Sequence, residues 1–192
     1  MKKITKIIAL FAVMISTAYC INSKSFIQDL GNRAIQILTN SNDSLEQVED
    51  HFVVLLDEGF DVSHIANFVM GRHWKSENAT PEQRQKQKDR FTTIFKIRLK
   101  KAYASRFREY RGVKFEVGEV RQRAGADFVK STIQKPGGPK TDVEWRVRSG
   151  KVQDVIVDGI SMSVTLRDDY SSLLSQKKGN IEEFLKALEA KN

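Results

Sequence analysis

The chain has 192 residues, 40% of them hydrophobic, with a formal charge of +8 and a mean hydropathy of −0.42. That length suits one domain with its own core, and that hydropathy argues against a chain built into a membrane. The single cysteine, Cys20, excludes an internal disulfide or a thiolate metal site, while a pI near 9.6 directs attention to nucleic acid, membrane surfaces and anionic ligands.

The first twenty residues decide among those partners. Lys2, Lys3 and Lys6 precede an apolar run from Ile7 to Ile15 that is too short to span a bilayer. Small residues at Ser16, Ala18 and Cys20 then offer cleavage after Ala18 or after Cys20. Residues 1–20 are expected to be a secretory signal peptide and residues 21–192 a single domain. An acylated Cys20 is the alternative, disfavoured by the bulky Tyr19 before it. Losing three lysines leaves +5 of the +8, and export removes nucleic acid as a partner.

Helical periodicity follows. Phe26, Ile27, Leu30, Ala34, Ile37 and Leu38 fall on one face, as do Leu45, Val48, Phe52, Leu55 and Leu56. Ser44 and Gln47 form a capping box for the second of these helices. A short third helix is predicted over Asp61 to Met70, capped by Asp61 and stopped by Gly71. Thr80, Pro81 and Gln83 open a long helix that runs to Gly112. Its stripe is Phe91, Ile94, Phe95, Leu99, Ala102, Tyr103, Phe107 and Tyr110, interleaved with Arg and Lys.

After Gly112 the period becomes two. Runs at 113–123, 126–135, 142–150 and 151–159 read as strands, separated by turn residues at "QKPGGPK" and "RSGK". Val143, Trp145 and Val147 alternate with Asp142, Glu144, Arg146 and Arg148, so one face of that strand is buried. Helices at Leu166–Leu174 and Ile181–Leu188 close the chain. The fold class is α+β: N-terminal helices, a curved antiparallel meander of about four strands and C-terminal helices. Loose contact between the helical stripe and the sheet would leave an apolar cavity.

Catalytic chemistry finds little support. Gly159-Ile160-Ser161-Met162-Ser163 is one residue short of a nucleophile elbow, and all three histidines lie upstream of Ser161. The stretch is read as a strand continuing past a bulge at Asp158-Gly159. By alternation, Ile160 and Met162 then face the interior and Ser161 points away. His51, His64 and His73 lack metal-ligand spacing, and Asp154 with Asp158 lacks the companions of a calcium loop. No catalytic residue, metal or cofactor is assigned.

Two stretches together resemble the MlaC family, the periplasmic lipid-binding components of a bacterial phospholipid ABC transport system, also called the toluene-tolerance auxiliary family. The pieces are Phe60-Asp61, Gly71-Arg72 with Trp74, Thr80-Pro81 with Gln83, Tyr103 and Tyr110. In the second half they are Trp145-Arg146-Val147, Asp154 and Gly159-Ile160-Ser161-Met162. The likeness runs from about Phe26 to Leu188, with one departure. The segment "RQKQKDRF" is about one helical turn longer than its counterpart, which bears on partner contacts more than on a pocket.

The resemblance implies a carrier of diacyl phospholipid. It would shuttle between an outer-membrane lipoprotein–porin complex and an inner-membrane ABC transporter with its substrate-binding ring, maintaining outer-membrane lipid asymmetry. The phospholipid is cargo and no cofactor is implied. Cavity walls are assigned to Phe91, Phe95, Leu99 and Tyr103 of the long helix. The sheet and the stretch after it would add Phe115, Val117, Trp145, Val147, Ile160 and Met162. Two other readings stay open: an exported hydrolase using Ser161 or a carboxylate such as Asp154, and a ligand-free module bridging membrane complexes.

Overall fold

The computed structural model describes residues 22–40, 42–75 and 79–190. The expected signal peptide lies outside these residues. Among them no helix is long and apolar enough to cross a membrane. Helices α1 (Ser23–Leu38), α2 (Leu45–Gly59), α3 (Val62–Met70) and α4 (Pro81–Tyr103) come first, followed by strands β1 (Lys114–Arg123), β2 (Ala126–Gln134), β3 (Lys140–Arg148), β4 (Lys151–Val157) and β5 (Ile160–Ser161). Helices α5 (Met162–Gln176) and α6 (Ile181–Glu189) complete the fold.

The helix starts follow from local hydrogen bonding. Ser44 and Thr80 both form complete capping boxes, with Gln47 and Gln83 answering from the third position. Asp61 caps α3 through a 3.1 Å bond from the His64 N–H. It also ties α3 to the sheet: its own N–H donates to the Val152 carbonyl at 2.9 Å, and its carboxylate accepts from Gln153 Nε2 at 3.2 Å. The long helix is shorter than its stripe suggests. It ends at Tyr103, and residues Ala104–Tyr110 tighten into a 3-10 helix. The segment "RQKQKDRF" lies in the first half of α4, its polar residues half-buried or exposed and its last, Phe91, buried, and its Arg90 clamps Glu182 and Glu189 of α6 at 2.6 Å each.

The sheet is an antiparallel meander in the order β1-β2-β3-β4-β5. Tight turns with positive φ join three of its hairpins, at Ala124-Gly125, Ser149-Gly150 and Asp158-Gly159. Pairing slips between Val117 and Val120 in β1 and between Arg146 and Val147 in β3. Such bulges sharpen the twist and curve the sheet around its cover. Helix α1 lies over β1 and β2, whereas α2, α3 and α5 reach β4.

Apolar packing divides into two bodies. One is all-helical, built from α3 to α6 around Phe91, which touches four rings: Trp74 at 5.9 Å, Phe95 at 5.7 Å, Tyr170 at 5.4 Å and Phe184 at 6.1 Å. The other joins α1 and α2 to the inner face of the sheet through Ile27, Leu30, Leu38, Val129, Val147 and Val152. Phe52 and Phe60 pack against both.

Candidate functional site: an apolar cavity between helices and sheet

The two apolar bodies do not close completely, and the seam between them is a cavity with two lobes. The helix-side lobe measures about 330 Å³ and is walled by α1, α2, α4, the 3-10 helix and the start of α5. The sheet-side lobe measures about 300 Å³ and extends toward Phe115 and Ile133. Gly31, Ala34, Tyr103, Phe107, Trp145, Val155 and Val157 line both, so the lobes adjoin along a shared wall.

The sheet wall is made by cross-strand rows. Val129, Trp145 and Val155 stand side by side on β2, β3 and β4, and Ser131, Val143 and Val157 form the next row. The indole of Trp145 is half-buried, with its N–H satisfied by Ser131 Oγ at 2.8 Å. Ser131 in turn donates to the Val143 carbonyl at 3.2 Å. The ring therefore presents only carbon to the cavity while its polar edge is paired. On the opposite wall, a Cβ at Gly31 would stand 2.1 Å from the Phe115 ring, so glycine lets that ring lie flat against α1.

Sequence reasoning placed ten residues on the wall, and the structure divides them. Phe95, Leu99, Tyr103, Trp145 and Met162 line the helix-side lobe; Phe115 lines the sheet-side lobe. Phe91 and Val147 are instead packed interior, 0% and 2% exposed. Val117 is half-buried against the sheet-side body but lines neither lobe. Ile160 is 63% exposed and lies outside the cavity altogether.

The error at Ile160 has a local cause. The chain does not continue as a strand. After the Asp158-Gly159 turn it pairs for two residues only, Val157 with Ile160 and Ile156 with Ser161, and enters α5 at Met162. At the hairpin tip Asp158, Gly159 and Ile160 are all exposed. Ser161, expected to point away, is half-buried and caps α5: its Oγ accepts from the Val164 N–H at 3.1 Å and donates to Asp154 Oδ2 at 2.6 Å. Asp154 Oδ1 accepts from the N–H groups of Val155 and Ser163, both at 2.9 Å. The serine that resembles a nucleophile is thus one half of a cap that pins α5 to β4, on the rim of the helix-side lobe. Ile160→Glu is expected to change stability by no more than ~0.5 kcal/mol, as surface substitutions usually do. Urea unfolding of the variant beside the parent checks this.

The histidines are dispersed. His73 Nε2 lies 3.1 Å from Ser171 Oγ, and burial, with Arg72 and Arg167 nearby, holds its pKa below the usual imidazole range. His51 approaches Asp43 at 3.4 Å. Among the described residues no cluster of His, Cys, Asp and Glu could hold a metal.

Sequence reasoning missed the contributions of α1, α2 and the 3-10 helix: Ala34, Leu38, Phe52, Phe107 and their neighbours. Their apolar stripes were visible, but a stripe does not say whether it meets another side chain or empty space.

Comparison with known proteins bears on this arrangement. The fold is shared with a phospholipid-binding protein from Ralstonia solanacearum, solved in complex with a phospholipid. The two superpose with a TM-score of 0.70 at 22% identity, over 87% of this chain and 94% of that one. Residues 28–190 match the family described as MlaC protein. With that match running from within α1 to the end of α6, the chain belongs to the MlaC family.

Proposed function

We propose that this protein is an exported phospholipid carrier, acting in the periplasm. The observation that carries the reading is the pair of adjoining apolar lobes, walled almost wholly by carbon, in a fold whose Ralstonia relative was solved with a phospholipid. Each lobe falls within the usual pocket range of roughly 300–1,000 Å³. Moving one methylene out of water is worth about 0.8 kcal/mol, so a diacyl lipid crosses an aqueous space only inside such an enclosure.

On this reading residues 1–20 are the signal peptide that delivers the chain. The donors and acceptors of the lipid are an outer-membrane lipoprotein–porin complex and an inner-membrane ABC transporter with its substrate-binding ring, and the net effect is to keep the outer membrane asymmetric. Binding rather than catalysis is favoured because the hydroxyl of Ser161 and the carboxylate of Asp154 are engaged with each other and with the start of α5.

The test is native mass spectrometry of the mature protein purified without detergent. A mass increment equal to one phospholipid is expected, released on mild activation. Protein that is recovered empty and also refuses lipid from vesicles would leave the ligand-free bridging module as the better account.

A further inference from the structure

Beside the cavity, a cleft of about 660 Å³ separates α4 from α5. Leu99, Tyr103 and Leu166 line both this cleft and the helix-side lobe, so the two spaces adjoin across these side chains. The α4 wall carries Arg98 and Lys101, three residues apart and therefore neighbours on one helical face; the α5 wall carries Asp169.

These two cations stand apart from others on the same helix. Arg90 is held by Glu182 and Glu189, Lys96 by Asp57 and Lys100 by Glu49. Among the described residues no carboxylate pairs with Arg98 or Lys101, and Arg98 lies against the hydroxyl of Tyr170. At the sheet-side lobe the balance differs. Arg106 is the one cation among its lining residues, and Lys135, outside the lining, is engaged by Glu109 and by the Tyr110 ring.

A guanidinium and an ammonium on one wall are what a phosphate diester needs, since both donate charge-assisted hydrogen bonds to its oxygens. The opening of an apolar cavity is also where a charged head must stay, because burying it without partners is costly. Resting on the reading of the cavity as a phospholipid site, the geometry points to the α4–α5 cleft as the head-group end. The lipid phosphate lies against Arg98 and Lys101, and the tails pass Tyr103 into the lobes. Asp169 on the facing wall repels negative charge and confines the phosphate to the α4 side.

The test loads the mature protein from vesicles of phosphatidylglycerol doped with a diacylglycerol of the same acyl chains, and counts each bound lipid by native mass spectrometry. The parent is expected to retain phosphatidylglycerol in preference to diacylglycerol. Arg98→Gln with Lys101→Gln should lower phosphatidylglycerol retention by about tenfold or more, the size expected for lost charge-assisted hydrogen bonds, and leave diacylglycerol unchanged. Arg98→Lys, which keeps the charge, should recover most of the retention, and Lys86→Gln, on the exposed start of the same helix and lining neither the cleft nor either lobe, should change neither lipid. Excess inorganic phosphate should not displace the bound lipid; if it does, the cleft serves a free anion and the assignment falls. It falls equally if the double variant keeps the parent's preference, if it loses both lipids alike, or if Lys86→Gln or Arg106→Gln alone reproduces the loss. A parent that takes up neither lipid removes the carrier reading itself, a different failure from any shown by the variants.

Discussion

Replacing Phe91 by alanine should destabilise the protein by about 3–5 kcal/mol, the range for emptying a buried aromatic site. For a chain of this size that is a fall in Tm of ~6–20 °C, at about 2–4 °C per kcal/mol. The residue is 0% exposed and sits among four other rings, with Tyr170 and Trp74 meeting it nearly edge-on at interplanar angles of 89° and 75°. Truncation removes those edge-to-face contacts together with the transfer energy of the ring. The surrounding side chains come from α3, α5, α6 and the Trp74 turn, all held by their own packing, so the void cannot collapse cheaply. Because Phe91 lines neither lobe, the folded fraction of the variant should still take up lipid. Thermal melting followed by circular dichroism checks the first statement, and native mass spectrometry of the folded material checks the second. A variant melting within 2 °C of the parent would show that the aromatic cluster is not the stability centre described.

Ala34→Trp should do the reverse. Ala34 lies on α1 at the junction of the two lobes, and its neighbours there include Trp145, Phe107 and Tyr103. An indole grown from this position enters space that is already empty, so it meets less of the ~1–3 kcal/mol penalty of overpacking a filled core. It divides the cavity, and phospholipid retention is expected to fall by about tenfold or more, at least ~1.4 kcal/mol in binding. The pair separates holding the fold from holding the ligand: Phe91→Ala should lose stability and keep binding, and Ala34→Trp should lose binding and keep most of the stability. If Ala34→Trp retains lipid as the parent does, the lobes do not form one site.

Much of the architecture was legible because local chemistry and global fold agree. The capping residues Thr80 and Gln83 marked the start of α4, and the turns at 134–140 and Ser149-Gly150 marked hairpins that the structure contains. The alternation at Val143, Trp145 and Val147 likewise marks the inner face of β3, where Val143 and Val147 are buried, although Glu144 and Arg146 on the other face are half-buried too. The cavity was legible only in part. Phe91 and Phe95 are equally apolar and one turn apart, yet one is sealed in the helical body and the other reaches the lobe. That difference is fixed by the approach of α5 and α6, which no pattern within α4 records. The Ile160 error is of another kind. Two-residue periodicity was extended through a segment whose polar groups favour a helix start: Ser161 supplies the cap and Asp154, across the hairpin on β4, secures it. Such side-chain capping overrides an extended reading of "SMSVTL".

The break in register between Val117 and Val120 has a consequence for how copies of the protein meet. Strand β1 is the outer edge of the sheet, and its unpaired backbone groups could template another chain. The bulge bends that edge, and Glu116, Glu119, Arg121 and Arg123 load it with charge of both signs. The opposite edge, β5, is only two residues long. Neither margin offers the long, flat, uncharged strand on which fibrils grow, so a sheet that must stay open enough to cradle a ligand is kept from zipping onto its own kind.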